Sequence, residues 1–279
     1  MNVVLLGAGG MLARAVKRAT PKGVSLRALS RAELDITAAA AVASALAGHP
    51  DWVINCAAWT RVDDAEDHEA EATRINGDAV GVLGQIAARC GVRVLHISTD
   101  YVFDGRLGRP YREADAPNPL GAYGRSKLAG ELALAASNCR WTLVRTQWLY
   151  GGGPSFVRTM WQRAQSGQPS RVVDDQLGAP THVTEVAGVI WRLIEGGSEG
   201  TWHASASGSA SWFEVAQAIY AEAGADVRLV ASCSTTEFGA RAPRPADGRL
   251  DTTKLGNLRP FHVVLTEALH PERPDIVDP

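Results

Sequence analysis

Short apolar runs alternate with amphipathic stretches along the first half of the chain. The first run, Asn2–Leu6, ends in a glycine-rich turn, and helical periodicity begins directly after it. The same pattern predicts strands at Val24–Leu29, Trp52–Cys56, Val92–Ile97 and Trp141–Arg145, with helices at Ala38–Ala47, Glu69–Cys90 and from about Tyr123 to Ser137. Strands that alternate with helices and are apolar on both faces predict an α/β fold with a doubly wound parallel sheet.

The pattern loosens after Arg145. A breaker cluster at residues 151–154 precedes three predicted helices, Phe156–Ala164, Val183–Ile194 and Trp212–Ala223. We therefore predict a Rossmann, NAD(P)-binding domain over residues 1–147 with returning segments near 171–195. A smaller mixed α/β substrate-binding domain is predicted over residues 148–170 and 196–279.

Composition and charge restrict the class of protein. With 46% apolar and 21% charged residues, the 279-residue chain can bury a sizeable core. The net charge of −2 gives no basic field for nucleic acid and no polybasic patch for a membrane surface. We see no basic leader before the first strand and no apolar run of the ~18 residues that a membrane span needs. These features predict a cytoplasmic protein, a monomer or homodimer, with no nucleic-acid or membrane partner.

The four cysteines are widely scattered, and the seven histidines form no pair at ligand spacing. We predict no metal site and read the cysteines as buried thiols in a reducing compartment. The acidic pairs Asp63-Asp64 and Asp174-Asp175 are interpreted as solvated loop charge, because nothing nearby in sequence completes an oxygen cage.

Gly7, Gly10 and Ala13 occupy a Gly-x-x-Gly-x-x-Gly/Ala pattern immediately after the first strand. Gly7 fits the tight turn, Gly10 allows backbone amides to approach a pyrophosphate, and Ala13 keeps the helix close to the sheet. Such a pattern also occurs in plain strand-to-helix connections. Its position at the start of a βαβ sequence favours dinucleotide binding.

The end of the second predicted strand bears on the choice of cofactor. An NAD site usually has a carboxylate there, whereas this chain has Ser30 and Arg31, which suit a 2′-phosphate. We therefore predict NADP(H), with NAD(H) as the alternative. The competing interpretation is that Arg31 is a solvated turn residue. Asp35 and Ile36, a few residues further on, are candidates to line the adenine.

Two signals for catalysis appear in order along the chain. Ser98 and Thr99 stand at the carboxyl end of a strand, the edge where open α/β sheets bind ligands. Tyr123 and Lys127 lie four residues apart at the start of a helix, so they share one face. A neighbouring ammonium is expected to lower the pKa of the phenol, and the same lysine can hydrogen-bond the nicotinamide ribose. Tyr-x-x-x-Lys alone is common on ordinary helices, but its order after the glycine loop and the Ser-Thr strand end strengthens the catalytic interpretation.

At this point the chain resembles the extended short-chain dehydrogenase/reductases, and within them the dTDP-4-dehydrorhamnose reductase family. The resemblance spans nearly the whole chain and is carried by residues 7–13, 55–60, 62–66, 98–105, 123–131, 145–150, 175–181, 244–245 and 249–251.

The resemblance implies roles for individual residues. Tyr123 would be the proton donor, Lys127 its partner and ribose anchor, and Thr99 the hydroxyl that orients the carbonyl. The substrate sugar would lie near Val62, Thr99, Asp100, Tyr123 and Trp148. The cofactor would touch Gly10, Met11, Leu12, Asp35, Ile36, Ala57, Ala58 and Trp59. Asn76 stands where such enzymes keep an Asn that supports a proton-relay water, although a capping or solvated residue is an equal alternative.

The implied reaction is NADPH-dependent reduction of the 4-keto group of a dTDP-4-keto-6-deoxy sugar, as in dTDP-L-rhamnose biosynthesis. The alternatives are another nucleotide-sugar epimerase or ketoreductase of the superfamily, or a non-catalytic NADP-binding regulatory subunit. Three departures from the family fall in the substrate half: Gln147, the pair Asp247-Gly248, and a tail after Leu255 without the usual closing helix pattern. They put the sugar specificity in doubt more than the chemistry. Trp148 is read as shaping the sugar pocket, against the alternative of a core residue.

Overall fold

A six-stranded parallel sheet forms the centre of the protein. The structure is a computed structural model and describes residues 1–270. The strand order is β2-β1-β3-β4-β5-β10, with parallel pairing throughout. The strands are β1 (Asn2–Leu6), β2 (Ser25–Leu29), β3 (Trp52–Asn55), β4 (Arg93–Thr99), β5 (Trp141–Thr146) and β10 (Gly200–His203). The predicted doubly wound parallel sheet is confirmed.

Helices cover both faces of this sheet, which is why its central strands are apolar without alternation. On one face, Val4 and Val53 pack against α2 (Ala39–Leu46), α5 (Ala79–Cys90) and α6 (Ala122–Ala135). On the other face, Leu5 and Ile54 pack against α1 (Met11–Arg18) and α8 (Val183–Glu195).

The predicted long helix from Glu69 to Cys90 is present, but a π-helical turn interrupts the α-helix in its middle. It starts as α4 (Glu69–Thr73), passes through a π-helical turn at Arg74–Asp78 and continues as α5. The short α3 (Val62–Ala65) precedes it. Such π turns recur at functional sites because they re-aim the side chains that they contain, and this one contains Asn76.

The remaining elements form a smaller lobe around its own core. Parallel strands β7 (Ser170–Val173) and β12 (Val230–Cys233) pack with α7 (Phe156–Gln165), α9 (Trp212–Glu222) and α11 (Phe261–Leu269). Two-residue strands add pairings at β6 (Leu149–Tyr150) with β9 (Thr181–His182), and at β8 (Leu177–Gly178) with β11 (Ala210–Ser211). The short α10 (Thr235–Phe238) follows β12.

Two expectations for the second half need correction. The predicted domain boundaries do not match the observed strand pairing. Residues 170–173 pair with β12 in the small lobe, whereas residues 200–203 pair with β5 and extend the large sheet. A closing helix is present after all at Phe261–Leu269, with Val264 and Leu265 buried. Its sequence lacks the expected tryptophan, but apolar residues on one face are sufficient to pack it on the lobe. The part of the predicted substrate domain at 271–279 lies outside the described residues.

Across residues 1–270, none of the helices combines the length and the apolar character that crossing a membrane would require.

Candidate active site

The glycine turn after β1 has the geometry that a bound dinucleotide needs. Gly7 has φ of +76°, and a Cβ added there would lie 2.6 Å from the amide nitrogen of Ala57, so only glycine fits. The Gly10 amide donates to the Gly7 carbonyl at 3.0 Å, which closes the turn. Helix α1 then begins at Met11 with no side-chain cap on its N-terminus. Its first amides and the positive end of its dipole therefore suit a phosphate.

A cavity of about 960 Å³ opens at this turn and reaches the small lobe. It is large enough for a dinucleotide and part of a second ligand. Of the residues predicted to contact the cofactor or substrate, Gly10, Met11, Leu12, Ala58, Val62 and Lys127 line it. The structure thus brings together, around one space, residues from positions 10 to 127 of the chain.

The end of β2 is arranged differently from the prediction. The Ser30 amide and hydroxyl both donate to the Glu33 carboxylate, at 2.8 and 2.7 Å. A 2′-phosphate at Ser30 would have to displace that carboxylate, whereas Arg31 is exposed. Asp35 accepts from the amide and hydroxyl of Thr37, and Ile36 is buried in the core of the sheet face, so neither lines the cavity.

Thr99 and Tyr123 meet at the carboxyl end of β4. The Thr99 hydroxyl donates to the Asp100 carboxylate at 3.0 Å and also interacts with the Tyr123 phenol. Burial raises the pKa of Asp100 to about 7. Gly248, one of the departures from the family, makes room for this carboxyl, since a Cβ there would lie 2.6 Å from its oxygen.

The expectation that Lys127 lowers the pKa of Tyr123 is wrong for this structure. Burial, and next the negative charge of Asp100, raise the pKa of the Tyr123 phenol, and Lys127 is not among the groups that shift it. The reason is the direction of the lysine side chain. Its Nζ donates to the Ile97 carbonyl at 2.7 Å and lies 3.3 Å from Nε2 of His96, below the strand end. In this arrangement Tyr123 stays protonated.

The phenol that lines the cavity is that of Tyr101, which sequence reasoning did not assign. The Tyr101 ring meets the Tyr123 ring edge-on with centroids 5.5 Å apart, so Tyr123 lies next to a residue of the cavity wall. Arg244 also lines the cavity and hydrogen-bonds the Tyr101 phenol. The signal for both residues was present in the sequence, because each lies within a segment that carried the family resemblance.

Arg244 is held by Asp63, so the interpretation of Asp63 as solvated loop charge is wrong. The Arg244 guanidinium binds the Asp63 carboxylate at 2.9 and 3.2 Å, and the Ala242 amide donates to it at 3.0 Å. Arg241 pairs in the same way with Asp64 and Asp67. These contacts fasten the segment 241–244 of the second half to α3 and to Asp67 just after it, next to the cavity that Val62 and Arg244 line. Asp175 is likewise engaged, accepting from the Thr235 amide and hydroxyl.

Asn76 lies in the π turn and is completely buried. Its Oδ1 accepts from the Trp59 amide at 2.8 Å, and its Nδ2 donates to the Trp59 carbonyl and to the Ser126 hydroxyl at 3.0 and 2.9 Å. A Cβ at Gly130 would overlap the Asn76 carbonyl oxygen, which is why helix α6 can approach so closely. Asn76 therefore ties the turn at 57–59 to the helix that carries Tyr123 and Lys127. The relay role of Asn76 stays a prediction.

Trp148 has a left-handed backbone, with φ of +46°, and is partly buried. Its ring stacks on that of Trp212 with centroids 3.6 Å apart, and Gly178 lies against its other edge. Trp212 and Phe156 line the cavity. Trp148 thus does not line the cavity itself but packs behind Trp212, which does. Gln147 beside it donates to Ser205 at 2.8 Å.

Within residues 1–270 we find no group of three or more His, Cys, Asp or Glu side chains placed to hold a metal ion.

Comparison with known protein families identifies the family to which the chain belongs. The sequence profile described as the RmlD substrate binding domain matches residues 1–269. The chain belongs to this family. The resemblance deduced from the motifs is confirmed.

Relatives of the RmlD family support the assignment along the whole chain. A dTDP-4-dehydrorhamnose reductase from Mycobacterium tuberculosis is 41% identical over 270 residues, covering 93% of this chain and 88% of the relative. A probable dTDP-4,6-dihydroxy-2-methyloxan-3-one 4-ketoreductase from Streptomyces antibioticus is 39% identical, covering 99% of this chain and 96% of the relative. Among solved structures, a dTDP-4-dehydrorhamnose reductase from Bacillus anthracis in complex with NADP superposes with a TM-score of 0.92 at 34% identity, covering 98% of this chain and 99% of that one.

Proposed function

We propose that this protein reduces the 4-keto group of a dTDP-4-keto-6-deoxy sugar with NADPH, as a dTDP-4-dehydrorhamnose reductase. It is then an NAD(P)H-dependent oxidoreductase acting on CH–OH. The observation that carries the proposal is one cavity that joins the uncapped start of α1 to Ile97 and Tyr101 at the end of β4, where Thr99 contacts Tyr123. The relatives' names and the NADP bound in the Bacillus anthracis structure support the choice of substrate and cofactor.

In this proposal each side of the cavity has a separate task. The amides at Gly10, Met11 and Leu12 hold the pyrophosphate, and Lys127 hydrogen-bonds the ribose. The reduced nicotinamide supplies the hydride. Tyr123 gives its proton to the alkoxide that forms at C4, while Thr99 orients the carbonyl oxygen. The raised pKa of Tyr123 keeps the phenol protonated, as a proton donor must be before the reaction.

The sugar nucleotide lies against Val62, Asp100 and the wall built by Trp148 on Trp212. We propose that Arg244, a partly buried guanidinium that lines the cavity and is paired with Asp63, faces its phosphates. Relatives of nearly equal identity are named for different keto sugars. We propose that the identity of the sugar depends on the second half of the chain, where Gln147 and Asp247 depart from the family.

The two phenols of the site supply a matched test. Tyr123→Phe should lower turnover with NADPH and a dTDP-4-keto-6-deoxy sugar at least ~100-fold with little change in substrate binding, because it removes the proton donor. Tyr101→Phe removes the hydroxyl of the neighbouring ring and should retain turnover within about tenfold. Oxidation of NADPH followed by absorbance measures both.

Near-wild-type turnover of Tyr123→Phe would remove Tyr123 as the donor. If Tyr101→Phe alone were inactive, the proton would come from Tyr101. NADPH binding without reduction of any 4-keto sugar nucleotide would favour the regulatory-subunit alternative instead.

The cytoplasm remains our proposed location, supported by four cysteines that are all free thiols. The oligomeric state, monomer or homodimer, stays a prediction.

A further inference from the structure

One amide side chain on the small-lobe side of the cavity has its orientation fixed by its neighbours. Gln176 follows β7, lines the cavity and is 5% exposed. Its Nε2 donates to the Thr235 hydroxyl at 2.9 Å. The Thr235 hydroxyl in turn donates to the Asp175 carboxylate at 2.6 Å, and the Thr235 amide donates to the same carboxylate at 2.9 Å. The Gln176 amide is thus the last member of a line of hydrogen bonds that begins at a carboxylate.

The direction of each bond in this line follows from the carboxylate. An ionised carboxylate only accepts, so the single proton of the Thr235 hydroxyl is used on Asp175. The Thr235 oxygen then only accepts, and the Gln176 atom that faces it must belong to the NH₂ group. The carbonyl oxygen is the other end of this amide, and it receives no hydrogen bond from residues 1–270. Gln176 therefore offers an acceptor to a ligand, and it cannot turn to offer a donor without losing its bond to Thr235.

The surroundings of this acceptor suit a flat, largely apolar group attached to phosphates. The small-lobe side chains that line the cavity are mostly apolar or aromatic, and they include Phe156, Val172, Val173, Trp212 and Phe238. The guanidiniums of Arg171 and Arg244 line the same cavity and provide the positive charge that a diphosphate needs. An apolar wall with a few directed polar groups is the usual composition of a site for a small organic ligand.

The proposed function places a nucleoside on this side of the cavity. A sugar whose C4 carbonyl lies at Thr99 and Tyr123, with its diphosphate at Arg244, directs its base away from α1 and into the small lobe. We propose that Gln176 is a specificity-determining residue whose carbonyl oxygen accepts a hydrogen bond from the N3–H of a thymine or uracil base. The placement of the base rests on the proposed function, whereas the orientation of the amide follows from the contacts alone.

The same geometry disfavours a cytosine base. Cytosine has a lone pair at N3 where thymine and uracil have an N–H, so it would present an acceptor to the acceptor of Gln176. Two acceptors that face each other without water both stay unsatisfied, which reduces the affinity by about tenfold or more. The amide cannot relieve this conflict by turning over, because Thr235 holds its NH₂ group.

Binding of nucleoside diphosphates to the intact protein tests the proposal without any reduction step. The probes are dTDP, dCDP and N3-methyl-dTDP, and isothermal titration calorimetry measures their Kd. Saturating NADP⁺ is present, so that the diphosphates do not occupy the phosphate site at the start of α1. We expect the wild type to bind dTDP at least about tenfold more tightly than dCDP or N3-methyl-dTDP, because both lack the N3–H.

Three variants examine the role of the amide. Thr235→Val removes the oxygen that holds the NH₂ group, so the amide can turn and donate to N3 of cytosine; the preference for dTDP over dCDP should fall at least about threefold. Gln176→Leu removes the acceptor and should reduce the same preference through weaker binding of dTDP. Thr236→Val changes the exposed neighbour of Thr235 on α10 and should leave the preference unchanged.

The orientation of the amide can also be followed in the protein without nucleotide. The side-chain ¹⁵N–¹H signals of Gln176, assigned by their loss in Gln176→Leu, report on the bond to Thr235. They should shift and exchange faster with water in Thr235→Val and stay unchanged in Thr236→Val. Unchanged signals in Thr235→Val would contradict the proposed orientation.

Equal affinities of the wild type for dTDP and for dCDP or N3-methyl-dTDP would overturn the proposal. A preference for dTDP that stays undiminished in both Thr235→Val and Gln176→Leu would do the same. The wild-type comparison of dTDP with N3-methyl-dTDP decides the matter if those variants do not fold. A protein that has the expected preference but reduces no 4-keto sugar nucleotide would contradict the proposed function alone, whereas a reductase without the preference would contradict this inference alone.

Discussion

Asp100 should make the stability of the protein depend on pH in a direction opposite to that of most carboxylates. It is 3% exposed, and burial raises its pKa from 3.8 to about 7. Between these two values the folded protein holds a proton that the unfolded chain has lost. The contribution of Asp100 to stability is therefore complete below about pH 4 and is lost as the pH rises through about 7.

The magnitude follows from the two pKa values. Their difference is about 3, and each pKa unit corresponds to ~1.36 kcal/mol, so the loss is about 4 kcal/mol. Asp100→Asn keeps an oxygen that can accept from Thr99 but does not ionise. The free energy of unfolding of this variant should gain about 4 kcal/mol on the wild type between pH 4 and pH 8.

Urea unfolding of both proteins at pH 4, 5, 6, 7 and 8 measures this difference, because the other titrating groups are common to the two. A difference that stays constant over the range would refute the reasoning, since it would mean that Asp100 ionises equally in the folded and unfolded chains.

Two further substitutions test the cofactor end and the buried ion pair. Arg31→Ala should raise the KM for NADPH and leave that for NADH nearly unchanged, measured by initial rates; an equal loss with both cofactors would show that Arg31 does not bind the 2′-phosphate. Glu131→Gln leaves the Arg145 guanidinium buried without its carboxylate and should lower the free energy of unfolding by about 3–5 kcal/mol. Urea denaturation tests this change, and a loss below about 1 kcal/mol would show that Arg145 finds another partner.

The sheet and its helices were predictable because each depends on a local pattern. A parallel strand covered on both faces must be apolar along its length, and the runs at Asn2–Leu6 and Trp141–Arg145 have that composition. The glycine turn was predictable for a similar reason, because the φ of Gly7 restricts the residue type at that position.

The family and the candidate site could likewise be deduced from short segments, since Thr99, Tyr123 and Lys127 belong to short sequence motifs. Contacts between distant segments could not be deduced from the sequence. Nothing in the composition of residues 63 and 244 indicates that they form an ion pair, and the pairing of β7 with β12 joins segments 60 residues apart. The closing helix was missed because its only sequence signal was an apolar face. Such a short helix is stable only when that face packs on the small lobe, and the sequence does not show this packing.

The chemical groups at the strand ends follow from the amino-acid sequence alone, because motif residues and backbone constraints are local properties. Their protonation and the directions of their side chains follow from the packing of the folded chain. Burial raises the pKa of Asp100, and burial lowers that of Lys127 against the opposing effect of Glu131 and Cys56. Burial and facing groups are properties of the packed molecule, since the free energy of a charge is set by all the atoms around it rather than by its neighbours in the chain.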